Sequence, residues 1–207
     1  MVYVLGFFAA DGYITVNKRG GQFWCIEITD KLLLESIKKV IKAEHTIGIR
    51  LPKRSNEKIS YRLQIGSIEM CNDLRKLGFL ERKTKSLVIP NIPKKYFYSF
   101  ARGYFDGDGN VWSGLMHKER RTQTHVIFTA FTSCSYLFLE ELQKRLIPFG
   151  IQGGSLYKSK KRQFSRLQFS TKNTLKLYDF MYNGLSTSEL FLKRKKDVFE
   201  KYIKMRL

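Results

Sequence analysis

Hydrophobic and polar positions follow the same order twice along the chain. In the first round, the strand-like runs "GYITV" and "FWCIEIT" precede "DKLLLESIKKVI", whose apolar positions recur at helical spacing. In the second round, "GNVW" and "HVIFTAFT" precede "SYLFLEELQKRL". A further pair of strand-like runs and a shorter helical pattern follow in each round, with "YRLQIG" matched by "SRLQFS". Each round also opens with a helical segment, so the pattern predicts two αββαββα halves.

Two prolines mark the link between the rounds. In "VIPNIPKK", Pro90 and Pro93 bar a regular helix, and the residues that follow can start the next one. We therefore predict an N-terminal half-domain over residues 1–92 and a C-terminal half-domain over residues 93–207.

The helical segment that opens each half carries the same short motif. "VLGFFAADG" and "ARGYFDGDG" agree at their third, fifth, eighth and ninth positions, and their aspartates Asp11 and Asp108 lie 97 residues apart. In both copies, small residues four apart share one helix face and allow close backbone approach. We predict that the two helices pack on each other through these interface residues, which are Gly6, Ala10, Gly103 and Gly107.

Such packing brings the C-terminal ends of the two helices together, and Asp11 and Asp108 lie at those ends. The helix dipole is negative there, and the second carboxylate adds repulsion. A divalent cation relieves both penalties. The chain carries 38 Lys and Arg against 18 Asp and Glu, which gives a net charge of +20 and favours a polyanionic partner. Metal-binding carboxylates on such a protein are suited to hydrolysis of a nucleic-acid phosphodiester.

Two other readings of "DGDGN" are weaker. An EF-hand loop starting at Asp106 needs Gly and Glu at positions six and twelve, where Val111 and His117 stand. A plain Asp-Gly turn does not explain the repeated helical segment upstream.

Composition narrows the protein class further. The longest apolar run, "VYVLGFFAA", is too short to span a membrane and lacks the features of a signal peptide. Cys25, Cys71 and Cys134 are odd in number and set in apolar surroundings, so we expect three buried thiols in a reducing intracellular compartment, the cytoplasm or an organelle matrix. An intein is not expected, because no Cys or Ser starts the domain and no His-Asn pair ends it.

The two motifs in their repeated frame resemble the LAGLIDADG homing endonucleases of the single-chain, two-motif type. The resemblance covers essentially the whole chain. It implies an α+β fold of two half-domains related by a pseudo-twofold axis, with the motif helices at the central interface. It also implies two antiparallel sheets that form a saddle over DNA.

The resemblance further implies a ligand set for the metal. The motif acids Asp11 and Asp108 are expected to bind it, and the residues before them, Ala10 and Gly107, to offer backbone carbonyls. Asp106 has no counterpart in the first motif, where Ala9 stands, so we expect a structural role for it. The expected cofactor is Mg²⁺, with Ca²⁺ supporting DNA binding without cleavage.

The family also places a basic residue near each active centre, late in each half. Block matching of "FLERKTKSL" with "FLKRKKDVF" pairs Lys83 with Lys195, whereas the "TKSL" context favours Lys85. We take Lys85 and Lys195 as the catalytic candidates and leave the choice between Lys83 and Lys85 open. A solvated basic helix start is the alternative for both segments.

Strand alternation predicts the residues that read DNA. Arg62 and Gln64 share one strand face, and the core takes Leu63 between them. Arg pairs with guanine and Gln with adenine in the major groove, whereas other cations contact phosphate. The complete set of DNA-binding candidates is Lys18, Arg19, Arg50, Lys53, Arg62, Gln64, Lys158, Lys160, Arg166 and Gln168. Asp30 and Ser133 are candidates for ordering water, although helix capping is the simpler role.

We therefore predict a monomeric, intron-encoded endonuclease that makes a staggered double-strand cut in a long asymmetric DNA site. Two alternatives of the same fold remain, an RNA maturase that binds intron RNA and a non-catalytic DNA-binding protein. The second alternative would be expected to have lost one metal acid, and both are present.

Overall fold

The computed structural model describes residues 1–52, 54–81, 86–116, 119, 121–160, 163–186 and 188–206. The chain forms two compact units, Met1–Gly107 and Asp108–Leu207. The predicted boundary after residue 92 concerns the repeats and stays a prediction. The compact units divide later because the helix that opens the second repeat packs within the first unit, as described below.

The first unit contains the predicted αββαββα series followed by the second motif helix. Its sheet is antiparallel, with strand order β1-β2-β4-β3. Its elements are α1 Val2–Asp11, β1 Gly12–Val16, β2 Gln22–Ile28, α2 Lys31–Val40, β3 Gly48–Arg50, β4 Ser60–Gly66, α3 Ile68–Lys76, a 3-10 turn Lys94–Tyr96 and α4 Phe97–Asp108.

The second unit repeats this sheet, with strand order β5-β6-β8-β7. Its elements are β5 Gly109–Met116, β6 Thr124–Ser133, α5 Tyr136–Leu146, a 3-10 turn Ile147–Phe149, β7 Ser155–Lys158, β8 Ser165–Phe169, α6 Thr171–Tyr182 and α7 Lys193–Lys204. The α+β class and the order of strands and helices are confirmed. Helix α7 lies outside the predicted αββαββα series and extends the second half, and it begins in the segment "FLKRKKDVF", for which a basic helix start was the alternative.

The repeat extends to the strand register. Leu63 pairs with Ile26 in the first sheet, and Leu167 pairs with Phe131 in the second, at matching positions. All four side chains are fully buried. Burial of an aliphatic or aromatic side chain contributes about 1.5–3 kcal/mol, so these central pairs anchor both cores.

The helices that follow β2 and β6 begin at equivalent caps. Asp30 accepts a hydrogen bond from the Leu33 amide at 3.0 Å, and Ser135 accepts one from Phe138 at 3.3 Å. The capping role expected for Asp30 is therefore confirmed. In the second half the cap is Ser135, whereas Ser133 accepts a hydrogen bond from the Ser135 amide at 3.1 Å.

The cysteines divide into two kinds. Cys25 and Cys71 are buried, as expected, but Cys134 is exposed, so the expectation for it is wrong. Cys134 lies between the end of β6 and the cap of α5, and its side chain faces solvent although Ser133 and Ser135 on either side are buried. Within the described residues, no helix is long and apolar enough to cross a membrane.

Candidate functional site

The two motif helices, α1 and α4, approach so closely that side chains are excluded where they cross. A Cβ on Gly6 would overlap the carbonyl oxygen of Phe100, and one on Gly103 would overlap that of Tyr3. The contacts are reciprocal, because Tyr3 and Phe100 occupy the same motif position. The structure thus places Gly6 and Gly103 at the contact between the motif helices, where glycine alone fits both backbones.

The same face continues to the C-terminal ends of the helices. A Cβ on Gly107 would overlap the Cβ of Ala10 and lie 2.9 Å from Oδ2 of Asp11. The four small residues therefore lie along one contact between α1 and α4. The missing side chain at Gly107 leaves room beside the Asp11 carboxylate.

Asp11 and Asp108 are the last residues of α1 and α4. Asp11 is half-buried and Asp108 is exposed. Neither helix has a basic residue in its last turn to offset the negative end of its dipole. Each helix end therefore combines the negative end of its dipole with a carboxylate.

The second aspartate of the later motif has a different environment. Asp106 is 2% exposed and its Oδ2 accepts a hydrogen bond from the Tyr3 hydroxyl at 2.8 Å. Nearby, the buried guanidinium of Arg102 lies over the rings of Tyr3 and Tyr98, 5.7 and 5.6 Å from their centroids. Asp106 therefore fastens α4 to α1, which agrees with the structural role expected from its missing counterpart.

Within the second unit, Lys195 reaches the backbone next to Asp108. Lys195 lies in the first turn of α7 and is only 6% exposed. Its Nζ donates a hydrogen bond to the carbonyl oxygen of Gly109 at 2.6 Å. This contact brings a buried ammonium to the residue that follows the second motif acid.

Three predicted lysines, one for DNA binding and two alternatives for the first active centre, have no described position. Lys53, Lys83 and Lys85 lie outside the described residues. The assignment of Lys85 to the first active centre, and the choice between it and Lys83, stay predictions.

The open face of the first sheet is polar. Leu63 and Ile65 of β4 are buried, so Arg62 and Gln64 lie on the opposite face and are half-buried. On the same face, Glu27 accepts hydrogen bonds from Arg50 at 2.9 Å and from Ser60 at 2.8 Å. Arg50 is therefore held on the sheet by an ion pair with Glu27.

Tyr13 and Cys25 lie on the same open face of the first sheet and are uncharged. Burial raises the pKa of the Tyr13 phenol, an effect that its hydrogen bond with Arg62 partly opposes. Burial also raises the pKa of the Cys25 thiol, against a hydrogen bond with Tyr13. Both groups stay protonated at neutral pH, so the charge of the face comes from its arginines and from Glu27.

The open face of the second sheet is different. Arg166 and Gln168 occupy the positions of Arg62 and Gln64, and they too lie opposite buried residues of their strand. Beside them are three aromatic residues that sequence reasoning missed, Trp112, Phe128 and Tyr157. Strand alternation places Trp112 on the same face as Asn110. It does not show which face of the sheet the helices cover.

The remaining basic candidates lie on loops and strand ends. Lys18 and Arg19 are exposed in the turn between β1 and β2. Lys158 is exposed at the end of β7, paired with Ser165, and so alternates away from the face that carries Arg166. Lys160 is exposed in the segment that follows β7. Exposed lysines and arginines are able to contact phosphate oxygens, and such contacts position a protein on a nucleic acid without reading its sequence.

Comparison with known proteins gives a family match over the first part of the chain and a fold for almost all of it. Residues 1–78 match the family model of the LAGLIDADG-like domain. Over 183 residues the chain is 33% identical to a protein of Thermococcus kodakarensis named probable translation initiation factor IF-2. That match covers 84% of this chain but only 14% of the relative, so the relative's name describes a protein of which this chain spans about one-seventh.

Solved structures match along almost the whole chain. The meganuclease I-SmaMI bound to uncleavable DNA matches with a TM-score of 0.66 and 17% identity, covering 99% of this chain and 89% of that one. The LAGLIDADG meganuclease I-AabMI bound to uncleaved DNA matches with a TM-score of 0.60 and 17% identity, covering 99% and 90%. A further I-SmaMI structure, bound to uncleaved DNA with calcium ions, has a TM-score of 0.63 and 14% identity, covering 99% and 91%. These likenesses establish the fold.

Proposed function

We propose that the protein cuts both strands of a specific DNA duplex, because residues 1–78 match the LAGLIDADG-like domain and the chain shares the fold of solved meganucleases along almost its whole length. The proposed cut is staggered, and the target is long and asymmetric. The observation that carries the proposal is the pair of helices that cross at Gly6 and Gly103, each of which ends in an acid.

The substrate class follows from charge and from the relatives. The chain carries a net charge of +20, which suits a polyanion. I-SmaMI and I-AabMI, which share the fold, are bound to DNA in their solved structures. A duplex is favoured because each four-stranded sheet exposes an Arg and a Gln on one face, and these side chains recognise base edges in the major groove.

The residues present fit a divalent metal ion. Asp11 and Asp108 offer carboxylate oxygens, the ligands that Mg²⁺ prefers, and the space at Gly107 lies beside the Asp11 carboxylate. Among the described residues, no group of three or more His, Cys, Asp or Glu is placed to hold a metal. Further ligands would therefore come from the carbonyls of Ala10 and Gly107, from phosphate oxygens and from water.

When bound, a divalent cation polarises the phosphoryl oxygen, lowers the pKa of a bound water and stabilises the leaving oxygen. Hydrolysis forms one P–O bond from water and breaks the ester P–O bond, while the leaving oxygen gains a proton. Mg²⁺ is the proposed physiological ion. Ca²⁺ is proposed to support binding without cleavage, in line with the I-SmaMI structure that holds uncleaved DNA with calcium.

Lys195 acts on this chemistry through the backbone. Its hydrogen bond to the Gly109 carbonyl fixes the chain where α4 ends and β5 begins, one residue after Asp108. The ammonium also adds positive charge where a phosphate would bind. We assign Lys195 as a positioning residue for Asp108 and propose that Lys85 has the same task in the first half.

The proposal is tested by selecting cleaved duplexes from a randomised DNA library with Mg²⁺, with Ca²⁺ and chelator as controls. We expect cleavage with Mg²⁺ only. On the selected site, Asp11→Asn and Asp108→Asn should each slow double-strand cleavage at least about thousandfold, because each removes an anionic metal ligand worth several kcal/mol in the transition state. DNA binding in Ca²⁺ should stay within a few-fold.

The matched control is Asp179→Asn, which makes the same change at an exposed position of α6 and should leave cleavage unchanged. If the double variant Asp11→Asn, Asp108→Asn still cuts both strands, the assignment of the metal acids is wrong. If no duplex is cut and a structured RNA binds more tightly than any duplex, the nuclease proposal itself fails.

A further inference from the structure

Trp112 forms a flat aromatic surface on the open face of the second sheet. Its indole lies over Gly114, where a Cβ would come within 2.6 Å of the ring. The neighbouring ring of Phe128 is stacked beside it, with centroids 6.2 Å apart and planes inclined by 8°. Because Gly114 has no side chain, the indole can lie along the sheet rather than stand upright on it.

This surface is accessible. Trp112 is 46% exposed, although tryptophan usually buries most of its area, and Met116 lies further along the same strand face at 36% exposure. Val126 and Phe128, on the neighbouring strand, face the same way and are half-buried. Together Trp112, Met116, Val126 and Phe128 form an apolar patch, named here the indole patch.

The indole patch continues a polar surface. The end of the face next to Asp108 carries Asn110, Gln168 and Arg166. Beyond Asn110, the same face of β5 is apolar. Trp112 lies four residues from Asp108 along the chain, which is about 13 Å at the rise of a strand. The face therefore changes from polar to apolar at a distance from Asp108 of about four base-pair steps.

The first sheet has no such patch. Phe23 occupies the repeat position of Phe128, but Thr15 stands where Trp112 stands in the second half. Asn17 stands where Gly114 does. The chain therefore contains its own matched control for the indole, at an equivalent strand position.

We propose that the indole patch reads thymine methyl groups in the major groove, so that the half of the target facing the second sheet is recognised at its outer positions by apolar contacts. The inference rests on the proposed duplex-cleaving function. The C5 methyl of thymine is the apolar group that a base pair displays in the major groove, and apolar side chains recognise it there. The exposed area of Trp112, Met116, Val126 and Phe128 is apolar apart from the indole N–H, and the thymine methyl is the base-edge group that an apolar surface matches.

A single-stranded partner is the competing occupant, since aromatic residues on a sheet also stack unpaired bases. The duplex is favoured because the patch shares its face with Arg166 and Gln168, whose repeat partners Arg62 and Gln64 occupy the same positions of the first sheet. Stacking would require base faces, which a duplex keeps inside the helix.

The test uses the full chain, Ca²⁺ and the duplex selected above. Each thymine is replaced in turn by deoxyuridine, which removes only the methyl group, and affinity is measured. We expect about fourfold weaker binding for each methyl that contacts the patch, since burial of one methyl-sized group contributes that factor. In the other half of the target, substitution at the corresponding positions should change affinity less than twofold.

Three variants sharpen the result. Trp112→Thr copies the residue of the first half and should abolish the difference between thymine and deoxyuridine, whereas Trp112→Phe should retain much of it. Gly114→Ala should weaken it, because the new Cβ displaces the indole while leaving its area intact. Thr15→Val, in the first sheet, should leave the difference in the second half-site unchanged.

The outcomes separate the two proposals. If a duplex is selected and cut but deoxyuridine has no effect in either half-site, the methyl-reading inference is wrong and the nuclease proposal stands. If single-stranded DNA or RNA of the same sequence binds more tightly than the duplex, and Trp112→Thr removes that preference, the patch stacks bases and the inference is wrong. If no duplex is selected, both proposals fail.

Discussion

The two halves of the chain end differently after the same series of strands and helices. In the first half, the described residues between α3 and the 3-10 turn, 77–81 and 86–93, form no helix, and Phe79, Leu87 and Ile89 among them are buried. In the second half, α6 is followed by α7, whose Phe199 and Tyr202 are buried. Both endings complete an apolar core, but only the second does so with a helix among the described residues.

This difference matters because α7 carries a buried cation. Lys195 precedes Phe199 by one helical turn, so the helix that completes the core also holds the ammonium against the Gly109 carbonyl. The two halves thus share the sheet and the motif helix, but different structures cover the apolar core after α3 and after α6. Predictions about residues late in one half therefore do not transfer automatically to the other.

The largest expected effect in this comparison comes from Lys195. Lys195→Met should slow cleavage about a hundred- to a thousandfold, the loss typical for removal of a preorganised electrostatic group. DNA binding in Ca²⁺ should change only a few-fold, and the Mg²⁺ concentration needed for half-maximal cleavage should rise. The measurement is single-turnover cleavage across a Mg²⁺ series, together with Tm.

Lys201→Met on the exposed side of the same helix is the control and should cleave normally. A merely structural lysine would lower Tm and DNA binding together and leave the Mg²⁺ requirement unmoved. That result would refute the positioning role.

The next effect concerns the region where the halves agree. Gly6→Ala and Gly103→Ala should each lower the free energy of unfolding by about 3 kcal/mol, because each Cβ would overlap a backbone carbonyl that cannot move aside. The two losses should be similar, since the contacts are reciprocal. Denaturant unfolding measures both.

Gly48→Ala is the matched control, because its Cβ would meet only the Arg62 carbonyl oxygen at 3.7 Å, an ordinary contact. A large difference between the losses at Gly6 and Gly103 would show that the crossing is not equivalent in the two helices. Losses below 1 kcal/mol at both positions would contradict the close approach itself.

The smallest effect belongs to the ending of the first half. The Arg75 guanidinium bonds Glu81 at 2.9 Å through Nε and 2.5 Å through Nη2, and this hydrogen bonding lowers the pKa of the Glu81 carboxyl. A lowered folded pKa means that the stabilisation is present above the unfolded pKa, about 4.3, and is lost as the pH falls through the folded pKa. Because Glu81 is exposed, Glu81→Gln should cost less than about 1 kcal/mol at pH 7.

The measurement is the free energy of unfolding of wild type and Glu81→Gln between pH 7 and pH 3. The difference should close on acidification below the unfolded pKa. Glu44→Gln, at an exposed position of the same unit, should show no such pH dependence. A difference that grows at low pH would have the wrong sign and would exclude this ion pair as its cause.

Much of the fold was predictable because the sequence contains it twice. The matched strings that contain Leu63 and Leu167 identified β4 and β8, and both leucines are buried as expected. Helix α7 was left out of the predicted series because symmetry with the first half was assumed after α6, although a helix start was the alternative interpretation of "FLKRKKDVF". Its own pattern, with Phe199 and Tyr202 three residues apart and Lys195 one turn earlier, is that of an amphipathic helix.

The site was predictable where it depends on local pattern. The small residues of the motifs implied the close approach of α1 and α4, and the structural role expected for Asp106 agrees with the hydrogen bond that it accepts from Tyr3. The contact between Lys195 and Gly109 joins positions 86 residues apart, which no local pattern encodes. The exposure of Trp112 depends on which face of the sheet the helices cover.

The bond between Tyr3 and Asp106 also selects which helices pair. At the repeat positions of these residues stand Phe100 and Ala9, so only an α1 against an α4 can make this bond. Two copies of α4 would bury Asp106 opposite Phe100, which has no hydroxyl, and a buried carboxylate without that donor is costly. If the two halves were produced as separate polypeptides, they would therefore assemble as a heterodimer in preference to two homodimers.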